Sequence, residues 1–418
     1  MAVLDVVVIG GGPAGAATAA ELARRGRRVR VLEREQFPRF HVGESLLPCS
    51  LPFFERLGVV EELDARFVKK YGAEFVTHDG QVERRYSFAE GMVPHPASAW
   101  HAERSELDDV LLRAAERAGA EIDQGSDVRA VETSAAGARL RVRKNGAERE
   151  LAARFVVDAS GQGALLGRLR NIRKMDPVLK NAAVFAHFEG AFRHEGERGG
   201  DVTIVVDPAG WWWMIPLAKG RSSVGFVGPK RAFVEHKADA AGFAARIAKT
   251  PLLRERLADA RRVAPVRSIS DFSYSCRPVS GDGYLLVGDA AAFLDPVFST
   301  GIHLGLMHGF SGAEAIDRAL SKGDVRRARF RGYERFVEST LASYRAMVRG
   351  FYTPELVELL FSPSDSLDLR RAITTLLAGA GTDQLAIAWR VRVFRALARA
   401  NKHVPLVPRL PGYREERA

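Results

Sequence analysis

The sequence predicts an α/β fold made of a parallel-sheet domain, an inserted, mainly antiparallel β-sheet and a C-terminal helical region. Three patterns support this prediction. The chain begins with a strand–helix–strand pattern, changes to short strand-like segments between residues 170 and 265, and becomes mostly helical from residue 302. With 418 residues, the chain is long enough for about two to three domains of typical size.

The opening strand–helix–strand unit contains a glycine motif. Residues 6–9 are an apolar run typical of a buried parallel strand, and residues 13–25 form an alanine-rich helix. Residues 29–32 form a second strand, which ends at Glu33. The motif joins the first strand to the helix, has the pattern G-x-G-x-x-G, and includes Gly10, Gly12, Pro13, Ala14 and Gly15.

This motif predicts a Rossmann-like dinucleotide-binding domain. The glycines permit a tight turn and a close approach of the backbone, and the helix N-terminus favours a pyrophosphate. Glu33 stands where a carboxylate accepts hydrogen bonds from ribose hydroxyls. A glycine motif alone is equally compatible with an ordinary glycine-rich turn, but the strand, the helix and Glu33 in register favour the dinucleotide.

The remaining elements complete the predicted architecture. Residues 103–118 are a helix with leucines on one stripe, and residues 155–157 and 284–287 are further buried strands. Between them, the inserted sheet is expected from strand-like segments at 184–188, 202–206, 211–215 and 223–227.

Composition limits the possible partners. Lys and Arg number 62 and Asp and Glu 51, so the net charge is +11, which suits nucleic acid, an acidic membrane surface, an acidic protein or a phosphorylated cofactor. Two cysteines exclude a disulfide scaffold and a four-thiolate zinc site, and no His/Cys cluster suggests a metal. The N-terminus lacks a signal-peptide pattern and no apolar run spans a bilayer, so we expect a cytoplasmic protein without a transmembrane segment.

Two later motifs identify the dinucleotide by resemblance. Residues 284–296, Tyr-Leu-Leu-Val-Gly-Asp-Ala-Ala-Ala-Phe-Leu-Asp-Pro, resemble the second FAD motif of the para-hydroxybenzoate hydroxylase-like flavoproteins. The resemblance implies that Asp289 contacts the ribityl chain and that the following helix directs its N-terminus at the flavin. The segment from Asp158 to Gly161, Asp-Ala-Ser-Gly, resembles the middle motif. Asp289 taken alone could be explained as an ordinary helix cap. Three motifs in the expected order are not explained in that way, and they favour FAD.

Four further segments resemble the flavin-dependent halogenases, and the pyrrole and phenol branch in particular, over residues 1 to about 340. They are Phe-Pro-Arg-Phe-His-Val-Gly-Glu-Ser-Leu-Leu-Pro at 37–48, Phe-Val-Lys-Lys-Tyr-Gly-Ala-Glu-Phe at 67–75, Trp-Trp-Trp-Met-Ile-Pro at 211–216, and Phe-Leu-Asp-Pro-Val-Phe-Ser-Thr-Gly at 293–301. The expected domains are an FAD-binding domain at 1–75, 100–170 and 265–325, a substrate-side sheet at 76–99 and 171–264, and a basic helical region at 326–418.

The resemblance implies a reaction and a set of site residues. Reduced FAD and dioxygen give a flavin C4a-hydroperoxide, halide attack on it gives hypohalous acid, and a lysine, here Lys70, guides that acid to an aromatic ring. The expected flavin-binding residues are Gly10, Gly12, Pro13, Ala14, Gly15, Glu33, Arg39, Ser45, Arg104, Asp158, Gly161, Asp289, Pro296 and Gly301. Chloride or bromide is expected at Ser299, Thr300 and Gly301, and the expected tunnel wall is Trp211, Trp213, Ile215, Pro216 and Phe293.

Some of these residues also have ordinary structural explanations. Lys69 and Lys70 could both be solvated at a strand edge, as most lysines are, and three consecutive tryptophans are usually core packing. One difference from the tryptophan halogenases bears on the class of substrate. Those enzymes carry a Glu just before the Ser-x-Gly segment, and here the corresponding positions are Val297 and Phe298. A site without that carboxylate suits a phenol or pyrrole that needs no activation. Alternative functions are an FAD-dependent monooxygenase or dehydrogenase, a geranylgeranyl-reductase-like enzyme, and a non-enzymatic flavin-binding interaction protein.

Much of the positive charge lies at the C-terminal end. From residue 390 to the end there are eight Lys or Arg and two Glu, which accounts for +6 of the +11. An apolar stripe of Leu385, Trp389, Val393 and Leu397 runs beside a basic face of Arg392, Arg395 and Arg399. This pattern fits either a packed helix with a solvated face or a dock for an acidic acyl or peptidyl carrier protein; no nucleic-acid module is recognised. A separate flavin reductase is expected to supply reduced FAD.

Overall fold

The computed structural model describes residues 4–362, 366–380, 384–410 and 413–414. Its strands in chain order are β1 (Leu4–Ile9), β2 (Val29–Glu33), β3 (Val68–Lys70), β4 (Gly72–Thr77), β5 (Glu83–Ser87), β6 (Ala99–His101), β7 (Glu121–Gln124), β8 (Asp127–Ser134), β9 (Gly137–Lys144), β10 (Ala147–Asp158), β11 (Arg173–Met175), β12 (Asn181–Glu189), β13 (Val202–Asp207), β14 (Gly210–Pro216), β15 (Arg221–Pro229), β16 (Arg261–Arg262), β17 (Arg267–Ser270), β18 (Tyr274–Cys276), β19 (Ser280–Gly281), β20 (Tyr284–Leu286) and β21 (Ala292–Phe293). Its helices are α1 (Pro13–Arg24), α2 (Leu51–Leu57), α3 (Val60–Arg66), α4 (Arg104–Arg117), α5 (Leu165–Leu169), α6 (Ala240–Lys249), α7 (Pro251–Arg256), α8 (Thr300–Ser321), α9 (Arg331–Phe351), α10 (Pro354–Leu360), α11 (Leu369–Leu377) and α12 (Leu385–Asn401).

The first sheet confirms the predicted dinucleotide-binding fold. Strand β1 lies at its centre, parallel to β2 on one side and to β10 on the other, and β7 and β20 extend the parallel set. Val6, Val7 and Val8 are fully buried, as expected for a parallel strand with both faces covered. Helix α1 packs against α4 and α8, and the carboxyl ends of β1, β2 and β10 therefore open toward one crevice.

The second sheet is the predicted insertion. Its strand order is β16-β12-β15-β14-β13-β4-β5, and its pairs are antiparallel except for β13 with β4. Alternation along β14 places Trp211 and Trp213 in the main core shared with the first sheet. Trp212 points to the opposite face, where it packs with Phe226 and Phe243 under α6 and α7.

Two of the expected domain boundaries divide strands of this second sheet between different domains. The limit between residues 75 and 76 falls inside β4, and β17, expected in the FAD-binding domain, pairs with β12. Residues from both sides of each limit therefore share one sheet.

The C-terminal region is helical from α8 to α12. On α12 the predicted apolar stripe is only partly buried: Leu385 is 86% exposed and Trp389 40% exposed, whereas Leu397 is half-buried against the core. The face of α12 that packs against the protein consists of Ile387, Val391, Phe394 and Ala398. In the part of the chain that the structure describes, no helix is both long enough and apolar enough to cross a membrane.

Candidate active site

A cavity of about 360 Å³ lies between the two sheets and draws its walls from both. It brings together most of the residues that the sequence predicted for the site. Four of those residues do not line it: Gly15, Lys70, Asp158 and Pro216. Most of the other predicted residues form three sections of the wall: a nucleotide loop, a turn before α8, and the tryptophan strand.

The nucleotide loop has the shape that a pyrophosphate requires. Gly10 has φ +102°, and a Cβ there would lie 2.4 Å from the carbonyl oxygen of Ala159, so only glycine fits. Gly15 stands behind the wall because it packs directly on the Gly10 carbonyl. The buried Glu33 side chain accepts a hydrogen bond from the Gly11 N–H at 2.8 Å and lines the cavity. The loop and the start of α1 at Pro13 therefore form a cradle that fits the phosphates of FAD.

Two predicted arginines meet at a carboxylate that sequence analysis missed. Arg104 donates two hydrogen bonds to Asp108, at 2.7 and 2.9 Å, and Arg39 donates one at 2.9 Å. Burial of Asp108 opposes its ionisation, but the Arg104 charge and hydrogen bonds outweigh that effect and lower the Asp108 pKa. The i,i+4 spacing of Arg104 and Asp108 on α4 was the available sequence signal. Asp108 thus fixes both arginines at the cavity wall.

The two predicted aspartates occupy different positions. Asp158 lies behind the wall and accepts hydrogen bonds from the backbone N–H groups of Ser160 and Leu166, so it shapes the turn that carries Gly161. Asp289 lines the cavity itself, and burial raises its pKa to about 7 against the opposing charge of Arg104. The next α-helix after Asp289 does not follow at once: α8 begins at Thr300, after two short 3₁₀ turns.

The two candidate lysines have opposite environments. Lys70 is only 2% exposed, and its Nζ donates hydrogen bonds to Ser45 Oγ at 2.9 Å and to the Leu46 carbonyl at 3.1 Å. Burial lowers the Lys70 pKa to about 7, with Asp201 acting in the opposite direction. Lys69 is 36% exposed and pairs with Asp64. Lys70 itself does not line the cavity, but its hydrogen-bond partner Ser45 does.

The turn before α8 presents the predicted halide residues. Ser299 has φ +56° and precedes the first turn of α8, so the free N–H groups of Thr300 and Gly301 lie at the positive end of a 22-residue helix. All three residues line the cavity, as do Pro296 and Phe293. The arrangement is suited to an anion.

The tryptophan strand forms the opposite wall. Trp211, Trp213 and Ile215 line the cavity, whereas Pro216 lies beyond it. The Trp213 indole N–H donates to Ser223 Oγ at 3.1 Å, and the Trp211 N–H donates to the Tyr352 hydroxyl at 3.0 Å. Tyr352 was not predicted, because it lies in the C-terminal region beyond the recognised motifs.

A buried pair beside Ser45 was also missed. Glu44 lines the cavity and is 2.8 Å from His187 Nε2 on β12. Burial opposes protonation of His187, but the hydrogen bond to Glu44 and its charge outweigh burial and raise the His187 pKa. The pair fastens the loop after β2 to the second sheet. Nothing in the local sequence marked His187, which is 143 residues from its partner.

Comparison with known proteins adds an independent finding. The family model described as "FAD binding domain" matches residues 3–336. The 1H-pyrrole-2-carbonyl-[peptidyl-carrier protein] chlorinase of Pseudomonas fluorescens is 32% identical over 396 residues, which cover 87% of each chain.

Two solved structures share the fold over nearly the whole chain. A flavoprotein/dehydrogenase from Cytophaga hutchinsonii superimposes with a TM-score of 0.89 at 28% identity, covering 96% of this chain and 99% of the other. The flavin-dependent brominase Bmp2 superimposes with a TM-score of 0.84 at 29% identity, covering 96% of this chain and all of the other.

Proposed function

This chain belongs to the flavin-dependent halogenases, and from that premise we propose that it chlorinates or brominates a pyrrole or phenol ring with Lys70 as the catalytic residue. The observation that carries the proposal is the position of Lys70. A lysine buried to 2% exposure, held against a serine of the cavity wall, is costly to maintain and needs a function.

The protein binds FAD, and the cavity supplies groups for each part of it. The nucleotide loop at Gly10 and Gly12 would hold the pyrophosphate, Glu33 the ribose, and Asp289 the ribityl chain. When bound in its reduced form, FAD supplies, with dioxygen, the oxidising power that turns a halide into hypohalous acid. The backbone N–H groups of Thr300 and Gly301 would hold the halide at the N-terminus of α8.

Lys70 is suited to guide hypohalous acid. With a pKa near 7, its ammonium and amine forms are both populated at neutral pH. The ammonium form donates hydrogen bonds and can orient the acid; the amine form can take the halogen on nitrogen as water leaves. Ser45 connects Nζ to the cavity, so the lysine acts at the wall without filling the substrate space.

The turn before α8 also favours a ring that is already electron-rich. Its residues Val297 and Phe298 are buried, apolar and outside the cavity wall, so they offer no carboxylate to activate a substrate. A phenol or pyrrole needs none. The pyrrole named in the chlorinase with 32% identity supports the same choice.

We further propose that the substrate arrives on an acidic carrier protein. Arg392, Arg395 and Arg399, hereafter the α12 arginines, make no hydrogen bond or ion pair with another described residue. By contrast, Arg409 and Arg414 are not available to a partner, because both donate to the buried Glu358 at 2.7 Å; Arg417 lies outside the described residues. The α12 arginines beside the exposed Trp389 form a basic, partly apolar surface that suits an acidic helix. A separate flavin reductase completes the proposed partners.

The proposal is tested by supplying reduced FAD, dioxygen and bromide or chloride with monochlorodimedone as a scavenger of hypohalous acid. We expect halide-dependent halogenation of the scavenger, and its loss in Lys70→Ala. Lys69→Ala is the matched control, since that neighbouring lysine is exposed and should be dispensable for halogenation. Halogenation retained by Lys70→Ala would refute the role of the lysine. Oxygen consumption without any halogenated product would favour a monooxygenase or a dehydrogenase; the similar C. hutchinsonii protein is described as a flavoprotein/dehydrogenase.

A further inference from the structure

The turn that carries the halide residues is anchored by a buried carboxylate, Asp295. This residue is 3% exposed and lines the cavity four positions before Ser299. Its Oδ1 accepts a hydrogen bond from the Val297 N–H at 3.1 Å and so caps the 3₁₀ turn Pro296–Phe298. Its Oδ2 accepts from Asn181 Nδ2 at 3.2 Å and from the Tyr352 hydroxyl at 2.7 Å.

Tyr352 links this carboxylate to the tryptophan strand. The Trp211 indole N–H can only donate, so Tyr352 Oη accepts from it at 3.0 Å, and the single hydroxyl proton of Tyr352 is left to donate to Asp295. The direction of each hydrogen bond from Trp211 through Tyr352 to Asp295 is therefore fixed. The halide turn and the tryptophan wall are two ends of one hydrogen-bonded chain.

Ring contacts join the same two sections independently. Phe351, the last residue of α9, packs edge-on against Trp211 at 6.2 Å and against Phe298 at 5.9 Å between ring centroids. The end of α9 thus lies between β14 and the halide turn, with Phe351 making the apolar contacts and Tyr352 the polar ones.

The negative charge of Asp295 bears on anion binding at the halide turn. A carboxylate so close in sequence to the halide turn would repel a halide if its charge were uncompensated, because burial weakens solvent screening. Three donors, from Val297, Asn181 and Tyr352, disperse that charge, and one of them comes from the C-terminal helical region.

We propose that Asp295 and Tyr352 are positioning residues that set halide affinity, so that the end of α9 controls the halide site. The inference rests on the proposed function for the location of the halide at Ser299 to Gly301. In Tyr352→Phe, the contact of the ring with Phe351 is retained but Asp295 loses its shortest hydrogen bond, at 2.7 Å. Because a hydrogen bond to a charged group contributes roughly a factor of ten or more in an equilibrium constant, halide affinity should fall about tenfold.

The test is a bromide titration of the FAD-loaded protein followed by the flavin absorbance spectrum, which reports halide affinity without turnover. At about pH 8, where Asp295 is ionised although burial raises its pKa to about 6, Tyr352→Phe should weaken bromide binding about tenfold and raise the halide KM, with a smaller effect on kcat. Tyr344→Phe is the matched control: it removes a phenol hydroxyl from α9, the helix that Tyr352 directly follows, and the Tyr344 hydroxyl is buried without a partner among the described residues. In an Asp295→Asn background, which has no carboxylate charge to disperse, Tyr352→Phe should change bromide affinity much less than about tenfold.

Three results would overturn the inference: unchanged bromide affinity in Tyr352→Phe, an equal loss in Tyr344→Phe, or no bromide binding by the unaltered protein. A fall in the unfolding midpoint with halide affinity preserved would show a merely structural role and would also overturn it. Bromide binding that responds as expected, in a protein that gives no halogenated product, would instead refute only the proposed function.

Discussion

Replacement of Lys70 by Met should stabilise the folded protein and abolish halogenation. The physical reason is that folding moves the lysine from water, where its pKa is 10.5, to a buried position where it is about 7. Between these values the unfolded chain binds more protons than the folded one, so Lys70 opposes folding most at pH 7 and the opposition disappears as the pH rises.

The magnitude follows from the pKa difference. Each pKa unit corresponds to about 1.4 kcal/mol, so the buried lysine costs roughly 4 kcal/mol at pH 7. Replacement by Met also removes the hydrogen bonds to Ser45 and Leu46. Each of them stabilises the folded protein by about 1 kcal/mol, so their loss offsets about half of the gain. Lys70→Met should therefore unfold with a free energy about 2 kcal/mol higher at pH 7, and this advantage should fall to about zero by pH 9.

Urea unfolding of the wild-type protein and Lys70→Met at pH 7 and pH 9, with FAD held at a constant saturating concentration, measures this difference. Lys69→Met is the control, because the half-exposed Lys69–Asp64 pair should contribute less than about 1 kcal/mol. A destabilised Lys70→Met at pH 7, or an advantage that does not shrink with pH, would show that Lys70 is not the buried, easily deprotonated group described here.

Three further predictions concern other parts of the site. Gly10→Ala should purify without FAD, as judged by flavin absorbance, because its Cβ would lie 2.4 Å from the Ala159 carbonyl oxygen; Gly26→Ala, also at positive φ but with open space around it, should retain FAD. Asp108→Asn should lower the free energy of unfolding by about 3–5 kcal/mol and weaken FAD binding, since it leaves two arginines without their carboxylate; an unchanged denaturation curve would contradict that role. Changing the α12 arginines to Glu should slow turnover of a carrier-bound pyrrole at least tenfold at low salt and leave halogenation of free monochlorodimedone unchanged; equal losses on both substrates would argue against docking.

The local motifs were predictable from sequence, because each is set by short-range geometry. The glycine loop, the strand that ends at Glu33 and the tryptophan strand all depend on spacing within a few residues, and the structure has them at those positions. Lys69 and Lys70 could be separated only by resemblance, since the three residues of β3 are too few to show which side is buried.

Long-range contacts account for what sequence analysis missed. Tyr352 is 141 residues from Trp211, and His187 is 143 residues from Glu44. No local periodicity encodes such pairs. The buried face of α12 was missed for a different reason. Leu385 and Trp389 fit a helical stripe, but Val391 and Phe394, on the other side of the helix, are the residues that pack against the protein.

The most direct test of the central claim is mass spectrometry of the product formed from a pyrrole or phenol with reduced FAD, dioxygen and either chloride or bromide. We expect a product whose mass increases by replacement of one hydrogen with the supplied halogen, with the isotope pattern of that halogen, and only in the presence of halide. A hydroxylated or desaturated product that forms equally well without halide would contradict it.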